Sequence, residues 1–239
     1  MLDIVVPVYN EGDNIVALLD QLASKIKADK RVFVVYDFEE DTTVPVLKKV
    51  KNNYPFEVTM EKNHYGRGAL NALKSGFEAS TQKAVLVTMA DLSDSLDIVD
   101  QMKDMMDSGA DIVCASRYMR GGKQVGGPLL KKLFSRIAGI SLCWLTGIPT
   151  HDISNNFRMY SRRVIEGFTI ESTGGFELAM ELTVKAYVHG LNIAETPSEW
   201  LDRVAGESNF KMWRWLPRYL YWYFYCIRKT WFGYRRRFT

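Results

Sequence analysis

Short apolar runs rich in β-branched residues alternate along the first half of the chain with segments that carry one apolar helical face. The runs lie at 2–8, 32–36, 56–60, 84–88 and 111–116. The segments between them, such as 14–26, repeat apolar residues every three or four positions, which is the spacing of one helix face. Strands that alternate with helices in this way form parallel sheets covered by helices. The pattern therefore predicts an α/β fold with a mostly parallel sheet and helices on both faces.

Polar, acidic segments follow two of these strands, at 37–43 and at 91–94. In open α/β sheets, ligands bind in the crevice at the carboxyl ends of the strands. Oxygen-rich side chains there, such as Asp91 and Ser93, can hold Mg²⁺ or Mn²⁺ against a substrate diphosphate. The alternative is a structural role, in which Ser93 or Asp94 caps the helix that follows.

Charge is distributed unevenly along the chain. Residues 211–239 hold eight basic residues and no acidic one, so residues 1–210 carry a net charge of −5, with 23 basic against 28 acidic residues. The tail 212–239 also holds four of the six tryptophans and five of the twelve tyrosines. Because Trp and Tyr prefer the bilayer interface and Lys and Arg are attracted to anionic headgroups, we expect this tail to lie on a membrane surface. Such tails can also bind single-stranded nucleic acid, but the acidic body would repel phosphates, so nucleic acid is not an expected partner.

The segment 128–147 follows a glycine-rich stretch, 121–128, that we expect to be a flexible loop. Its basic residues Lys131, Lys132 and Arg136 are interspersed with large apolar side chains, which is typical of an amphipathic interfacial helix. A core-packing helix with a solvated basic side is an equally good interpretation. No apolar run reaches about 18 residues, so no transmembrane helix is expected.

The expected location is the cytoplasmic side of a membrane, as a peripheral protein. Three cysteines lack metal-like spacing, which fits a reducing compartment, and the chain opens on a strand rather than on a signal peptide.

Seven motifs, in order, resemble those of family 2 glycosyltransferases with the GT-A (Rossmann-like) fold. They lie at 7–11, 35–42, 89–93, 115–118, 152–158, 175–177 and 203–208. The last four narrow the likeness to dolichyl-phosphate mannose synthases and polyprenyl-phosphate hexose synthases. The resemblance covers roughly residues 1–211, which would form the catalytic domain, with 212–239 as the membrane-surface tail.

The resemblance implies an inverting transfer of a hexose from a nucleotide-diphosphate sugar, either GDP- or UDP-linked, to a polyprenyl or dolichyl phosphate. It assigns nucleotide binding to Pro7, Tyr9, Glu11, Asp37 and Asp41, and the Mg²⁺ or Mn²⁺ site to Asp91 and Ser93. It assigns phosphate binding to Arg117, Arg203, Ser208 and Lys211, and sugar or acceptor contacts to Asp152, Arg158 and Glu177. Asp91 and Arg117 would be the catalytic residues. Glu177 and Glu181 have an open alternative as helix caps or buried pairs, and Lys211 as a surface ion-pair partner.

Three of these motifs depart from the family pattern. Tyr36 and Phe38 flank Asp37 where adjacent aspartates and a Gly-Ser pair are common, which bears on the bound base. Met89 stands where a first aspartate is frequent and Ser93 where a glutamine is common, which bears on metal affinity. Asn155 and Asn156 replace the more usual small residues, which bears on sugar selection.

Two other functions compete with the leading one. In the first, the acceptor is a hydroxyl of a glycan or glycolipid, which would require a carboxylate base near the acceptor. In the second, the altered acidic motifs mark an inactive nucleotide or nucleic-acid binding module. A separate membrane-anchoring subunit is also left open.

Overall fold

A computed structural model describes residues 1–202 and 212–233 of the chain. The strands are β1 (Leu2–Pro7), β2 (Lys30–Tyr36), β3 (Glu57–Lys62), β4 (Ala84–Val87), β5 (Ile112–Ser116), β6 (Lys123–Val125), β7 (Arg158–Ser161), β8 (Ile193–Pro197) and β9 (Glu199–Leu201). The helices are α1 (Ile15–Lys25), α2 (Thr43–Val50), α3 (Ala69–Ala79), α4 (Val99–Asp107), α5 (Leu129–Thr146), α6 (Arg162–Gly167), α7 (Leu178–Val188) and α8 (Met212–Phe232). The first five predicted strands are confirmed, with bounds shifted by up to two residues.

Seven strands form one sheet in the order β3-β2-β1-β4-β7-β5-β8. All neighbouring pairs are parallel except those of β7, which runs antiparallel between β4 and β5. The predicted, mostly parallel sheet is therefore confirmed. The sequence pattern did not predict β7, because its four residues begin with an arginine and pair only with strands that are distant in sequence.

Helices cover both faces of this sheet, as expected. Ile4 and Val6 point into an apolar cluster that packs α1, α2 and α4 on one face, whereas Val5 points into the cluster under α3, α6 and α7. Alternate residues of a strand face opposite sides of a sheet, so β1 is buried on both faces. This burial explains why the central strands read as continuous apolar runs.

The stretch 121–128 is more ordered than its glycines led us to expect. It contains β6, which pairs in parallel with β9 to form a second, two-stranded sheet. The amide of Gly127 donates to Oδ2 of Asp202 (3.0 Å), just before α5 begins. The partner strand lies more than seventy residues away along the chain, so local composition could not indicate this pairing.

Helices α5 and α8 pack against each other and cover a third apolar cluster. Trp222 and Cys226 of α8 are buried there with Leu142 of α5 and Met180 of α7. The segment that reads from the sequence as a surface tail thus packs one of its faces against the body. Within 1–202 and 212–233, no helix has the length and apolar character needed to cross a membrane.

Candidate active site

Asp41 joins the loops that follow β1 and β2. Its Oδ2 accepts from the backbone amide of Asn10 (2.9 Å), and its Oδ1 accepts from that of Thr43 (2.8 Å). The amide of Glu11 donates to Oγ1 of Thr43 (2.9 Å). Asp41 is fully buried, so its position fits a residue that shapes the predicted nucleotide pocket through the loop carrying Glu11.

Asp37 holds the start of α3 by hydrogen bonds in the same way. Its Oδ1 accepts from Nδ2 of Asn63 (2.7 Å), and its Oδ2 accepts from the backbone amide of Gly68 (2.9 Å). Gly68 directly precedes α3 and has a positive φ of 124°, a conformation that favours glycine. Pro7, the last residue of β1, lies in register with Val35 of β2. The predicted nucleotide-binding residues thus lie together at the carboxyl ends of β1 and β2.

Phe38 and Arg67, to which the sequence assigned no role in the site, lie beside the predicted nucleotide-binding residue Tyr9. Tyr9 is 58% exposed and meets the ring of Phe38 edge-on, with 5.8 Å between ring centroids. The guanidinium of Arg67 lies over the other ring, 4.7 Å from the centroid of Phe38. Aromatic faces and a stacked guanidinium can hold a nucleobase. The signal was available, since Phe38 is one of the positions that departs from the family pattern.

The loop after β4 is bent sharply around Asp91. Oδ1 of Asp91 accepts from both Oγ (2.6 Å) and the backbone amide (3.2 Å) of Ser93. Leu92 between them has a φ of 60°, which is uncommon for a residue other than glycine. Neither Ser93 nor Asp94 caps the following helix, because Ser95 and Ile98 occupy the N-cap positions and no side chain bonds there. The capping alternative is therefore wrong.

Asp94 is a second carboxylate in this loop. Oγ1 of Thr88 donates to its Oδ2 (3.1 Å). Burial, together with the nearby charge of Asp91, raises the pKa of Asp94 to about 7. Two carboxylates that repel each other, beside the hydroxyl of Ser93, offer the oxygen donors that Mg²⁺ and Mn²⁺ prefer. Within the described residues, no cluster of three His, Cys, Asp or Glu side chains could bind a metal.

Arg117 and Asp152 form a buried ion pair at the end of β5. The guanidinium donates from Nε to Oδ2 (2.6 Å) and from Nη2 to Oδ1 (2.9 Å), and the Arg117 amide also donates to Oδ2 (3.1 Å). Burial acts to raise the pKa of Asp152, but the charge and hydrogen bonds of Arg117 outweigh it and lower that pKa. Nη2 also donates to the hydroxyls of Ser135 (3.2 Å) and Ser154 (3.1 Å). Arg117 therefore ties this edge of the sheet to α5, which carries Ser135.

Arg158 lies in the interior rather than on the surface of the site. Its side chain is fully buried, and it donates to the carbonyl oxygens of Asn155 (2.7 Å), Asp152 (2.5 Å) and Ala179 (3.2 Å) and to the hydroxyl of Thr183. Because its donors are used in this way, the geometry gives Arg158 a positioning role toward the loop that carries Asp152, instead of the expected contact with sugar or acceptor.

Glu181 and Glu177 hold the loop that precedes α7. Glu181 is fully buried and accepts from the amides of Glu171 (2.6 Å) and Ser172 (2.8 Å) and from Nζ of Lys185 (2.6 Å). This is the buried-pair role that the sequence left open. Glu177 accepts from the amide of Gly174 (3.0 Å) through Oε1.

Strand β9 rests against the loop that carries Asp91. The amide of Leu201 donates to the carbonyl of Ser93 (3.0 Å), and Trp200 forms an isolated bridge with Asp94. The chain is thus held against the loop that carries Asp91 two residues before 203. The predicted phosphate-binding residues Arg203, Ser208 and Lys211 lie outside the described residues.

A protein-family model described as Glycosyl transferase family 2 matches residues 3–168. A dolichol-phosphate mannosyltransferase of Pyrococcus furiosus is 26% identical over 215 residues, covering 88% of this chain and 59% of that protein. A polyprenol monophosphomannose synthase of Mycolicibacterium smegmatis is 27% identical over 210 residues, covering 86% of this chain and 79% of that protein. The chain therefore spans less than two thirds of the Pyrococcus protein.

Solved structures of similar fold include glucosyl-3-phosphoglycerate synthase from Mycobacterium tuberculosis in complex with UDP. It has a TM-score of 0.69 and 15% identity, and the match covers 95% of this chain and 80% of that chain. A structure of the same enzyme with Mn²⁺, UDP and glucosyl-3-phosphoglycerate has a TM-score of 0.64 and 15% identity, covering 96% of this chain and 78% of that one. At these identities the likeness shows the fold alone, and it confirms the predicted GT-A fold.

Proposed function

The chain belongs to glycosyl transferase family 2, and from that premise we propose that it transfers a hexose from a nucleotide-diphosphate sugar to a polyprenyl or dolichyl phosphate at a membrane surface. The observation that carries this proposal is the position of Arg117. Its guanidinium is bonded on one side to Asp152 at the sheet edge and on the other to Ser135 of α5. We infer that Arg117, which lies where the candidate active site meets an exposed apolar helix, is the residue that contacts phosphate.

The exposed surface of α5 and α8 supports a lipid-borne acceptor. Large apolar side chains stand in solvent along both helices: Leu129, Leu130, Leu133, Phe134, Ile137, Ile140, Trp144, Leu220, Tyr221, Phe224, Trp231 and Phe232. The two helices are joined by a hydrogen bond between the hydroxyls of Ser141 and Tyr223 (2.8 Å) and by one from Nε1 of Trp231 to the carbonyl of Leu145 (2.9 Å). Contiguous apolar patches of this kind mark protein or membrane contacts, and the basic residues of α5 favour anionic headgroups.

The proposed chemistry requires positioning more than proton transfer. A phosphate acceptor is already ionised near neutral pH, so its oxygen attacks the anomeric carbon while the bond to the diphosphate breaks and the nucleoside diphosphate leaves with the electron pair. Attack from the opposite face inverts the configuration. Arg117, whose charge is shared with Asp152, would orient the phosphate, and the loops fixed by Asp37 and Asp41 would hold the nucleotide.

A divalent cation would be held by Asp91 and Ser93, with Asp94 beside them. When bound, Mg²⁺ or Mn²⁺ neutralises the charge that develops on the leaving diphosphate. The Mn²⁺ and UDP bound together in the Mycobacterium tuberculosis enzyme support this metal dependence.

The hydroxyl-acceptor alternative is less well supported. It needs a carboxylate base, and Asp94, with a pKa near 7, has a suitable acidity. However, its accepting oxygen lies against Thr88 (3.1 Å) and its backbone bridges to Trp200. Asp94 therefore faces the interior of its loop. A peripheral location on the cytoplasmic side, with or without a membrane-anchoring subunit, completes the proposal.

The test is a transfer assay with liposomes that contain polyprenyl phosphate, Mg²⁺ or Mn²⁺, and a panel of radiolabelled GDP- and UDP-hexoses. We expect label to enter the lipid, and both EDTA and Asp91→Ala to abolish transfer. Asp107→Ala, at an exposed aspartate of α4, serves as the matched control. Label in added saccharides but not in lipid would favour the hydroxyl acceptor, and no binding of any nucleotide would contradict the proposal.

A further inference from the structure

Cys143, His151 and Glu195 form a cluster to which neither the sequence nor the proposed function gives a role. Nδ1 of His151 donates to Oε2 of Glu195 (2.8 Å), and the His151 backbone amide donates to Oε1 (2.6 Å). Because an ionised carboxylate only accepts, the proton of the neutral ring is on Nδ1, and Nε2 presents its lone pair. Nε2 lies 4.0 Å from Sγ of Cys143, a free thiol on α5. A thiol is a weak donor, so Nε2 keeps the capacity to bind a stronger partner.

Packing of α5 against the following loop holds the thiol and the imidazole in this arrangement. Gly139 lies one helical turn before Cys143, and a Cβ added there would overlap the backbone carbonyl of His151. The Glu195 side chain is only 8% exposed, whereas that of His151 is 45% exposed. The imidazole is therefore open to solvent, while Glu195 fixes its orientation.

We propose that Cys143 and His151 bind one Zn²⁺ ion, with Glu195 orienting the imidazole. The inference goes beyond the proposed function and does not depend on it. Zinc takes thiolate sulfur at about 2.3 Å and imidazole nitrogen at about 2.0–2.1 Å. An ion bonded to both would separate Sγ from Nε2 by roughly 3.6 Å at a tetrahedral angle and by about 4.3–4.4 Å in a straight line. The observed 4.0 Å lies between these values, so the ion fits with little movement.

The hydrogen bond between His151 and Glu195 is the one that metal-binding histidines commonly make, since they donate their other ring N–H to a carboxylate. Two protein ligands and water make this an open site, with weaker binding than a closed structural zinc site. Burial raises the pKa of the Cys143 thiol, so each ion that binds releases a proton to solvent. The bound ion joins α5 to the residue that precedes Asp152, and it thereby stabilises this edge of the candidate active site. The interval from Cys143 to His151 is longer than common zinc-ligand spacings, so the sequence gave no signal.

The test measures Zn²⁺ binding to the full chain by competition with a chromophoric chelator. A non-thiol reductant keeps the cysteines reduced, and excess Mg²⁺ occupies sites made of oxygen ligands. We expect one bound Zn²⁺ per chain, and Cys143→Ser or His151→Gln should remove it. Glu195→Gln should weaken binding by about 10- to 100-fold, the usual cost of losing the carboxylate behind a metal-binding histidine. His64→Gln, at an exposed histidine paired with Glu78, is the matched control and should bind like wild type.

Co²⁺ provides a second measurement that does not depend on how well the cysteine and histidine variants fold. Bound to wild type, it should show the near-ultraviolet charge-transfer band of a thiolate–cobalt bond, and added Zn²⁺ should abolish that band. The band should persist in Asp91→Ala. Its absence from wild type, or equal Zn²⁺ affinity of wild type and Cys143→Ser, would overturn the zinc site. Loss of the band in Asp91→Ala would also overturn it, because the ion would then lie at the candidate active site.

Discussion

Replacing Asp152 by asparagine tests how far the candidate active site depends on one buried ion pair. Asp152 is fully buried, whereas the Arg117 side chain is 11% exposed. The carboxylate accepts two hydrogen bonds from the Arg117 guanidinium and one from its backbone amide. Asparagine has nearly the same shape but presents one acceptor oxygen and no charge. The guanidinium would therefore remain buried without a counter-charge.

The expected loss of unfolding free energy is about 3–5 kcal/mol, which is typical when one partner of a buried pair is removed. Replacing both partners, as Arg117→Met with Asp152→Asn, should cost less than the sum of the single changes. We expect a coupling free energy of about 2 kcal/mol or more, since the two side chains are in direct contact. Asp107→Asn, in an exposed pair with Lys103, should cost less than about 1 kcal/mol.

The assay is urea denaturation followed by circular dichroism, at several pH values. The folded pKa of Asp152 is lowered, so the stability it contributes is fully present above the unfolded pKa of about 4 and is lost as the pH falls through the folded value. The difference between wild type and Asp152→Asn should be constant from about pH 5 to 8 and should shrink in acid. A loss under about 1 kcal/mol, or additive single changes, would refute the reasoning.

Three further predictions follow from other parts of the structure. Trp144→Glu, at a side chain that is 84% exposed, should weaken binding to anionic liposomes in a sedimentation assay and leave the melting temperature unchanged. The matched control Tyr65→Glu, at an exposed aromatic outside α5 and α8, should bind like wild type, and equal loss in both would contradict the membrane surface. Gly139→Ala should destabilise by about 1–3 kcal/mol in thermal unfolding, because the added methyl group overlaps the carbonyl of His151; an unchanged melting temperature would show that α5 can move away. In metal-free buffer, Asp94→Asn should be more stable than wild type at pH 8 and lose that advantage near pH 4. Because the pKa of Asp94 is raised to about 7 in the folded protein, its protonated side chain stabilises the fold. Ionisation of this side chain destabilises the fold as the pH rises through that value. Parallel pH profiles for the two proteins would argue against it.

Local patterns predicted the central strands because β1 and β2 are buried on both faces, which leaves unmistakable apolar runs. They could not predict β7, whose first residue is the buried Arg158 and whose partners lie far away in sequence. The pairing of Arg117 with Asp152 spans 35 residues, and its geometry depends on strand order, which the sequence does not display.

The residues of the candidate site were likewise predicted only in part from the sequence. The carboxylates at strand ends were found from the sequence because the change from apolar to acidic residues is abrupt. The buried face of α8 was missed because the tail is basic and aromatic throughout. The four-residue spacing of Trp222 and Cys226, which are both buried, is a helix-face signal that would have indicated a buried side.

The antiparallel strand β7 also sets the width of the site. Because it lies between β4 and β5, the loop that begins at Asp91 and the end of β5 at Arg117 are separated by two inter-strand spacings, roughly 10 Å. The guanidinium of Arg117 is neutralised by Asp152, and the inserted strand places the loop of Asp91 one strand spacing further from that ion pair than it would be with β5 beside β4. It acts as a spacer, and its reversed direction brings the loop with Asp152 to the same edge.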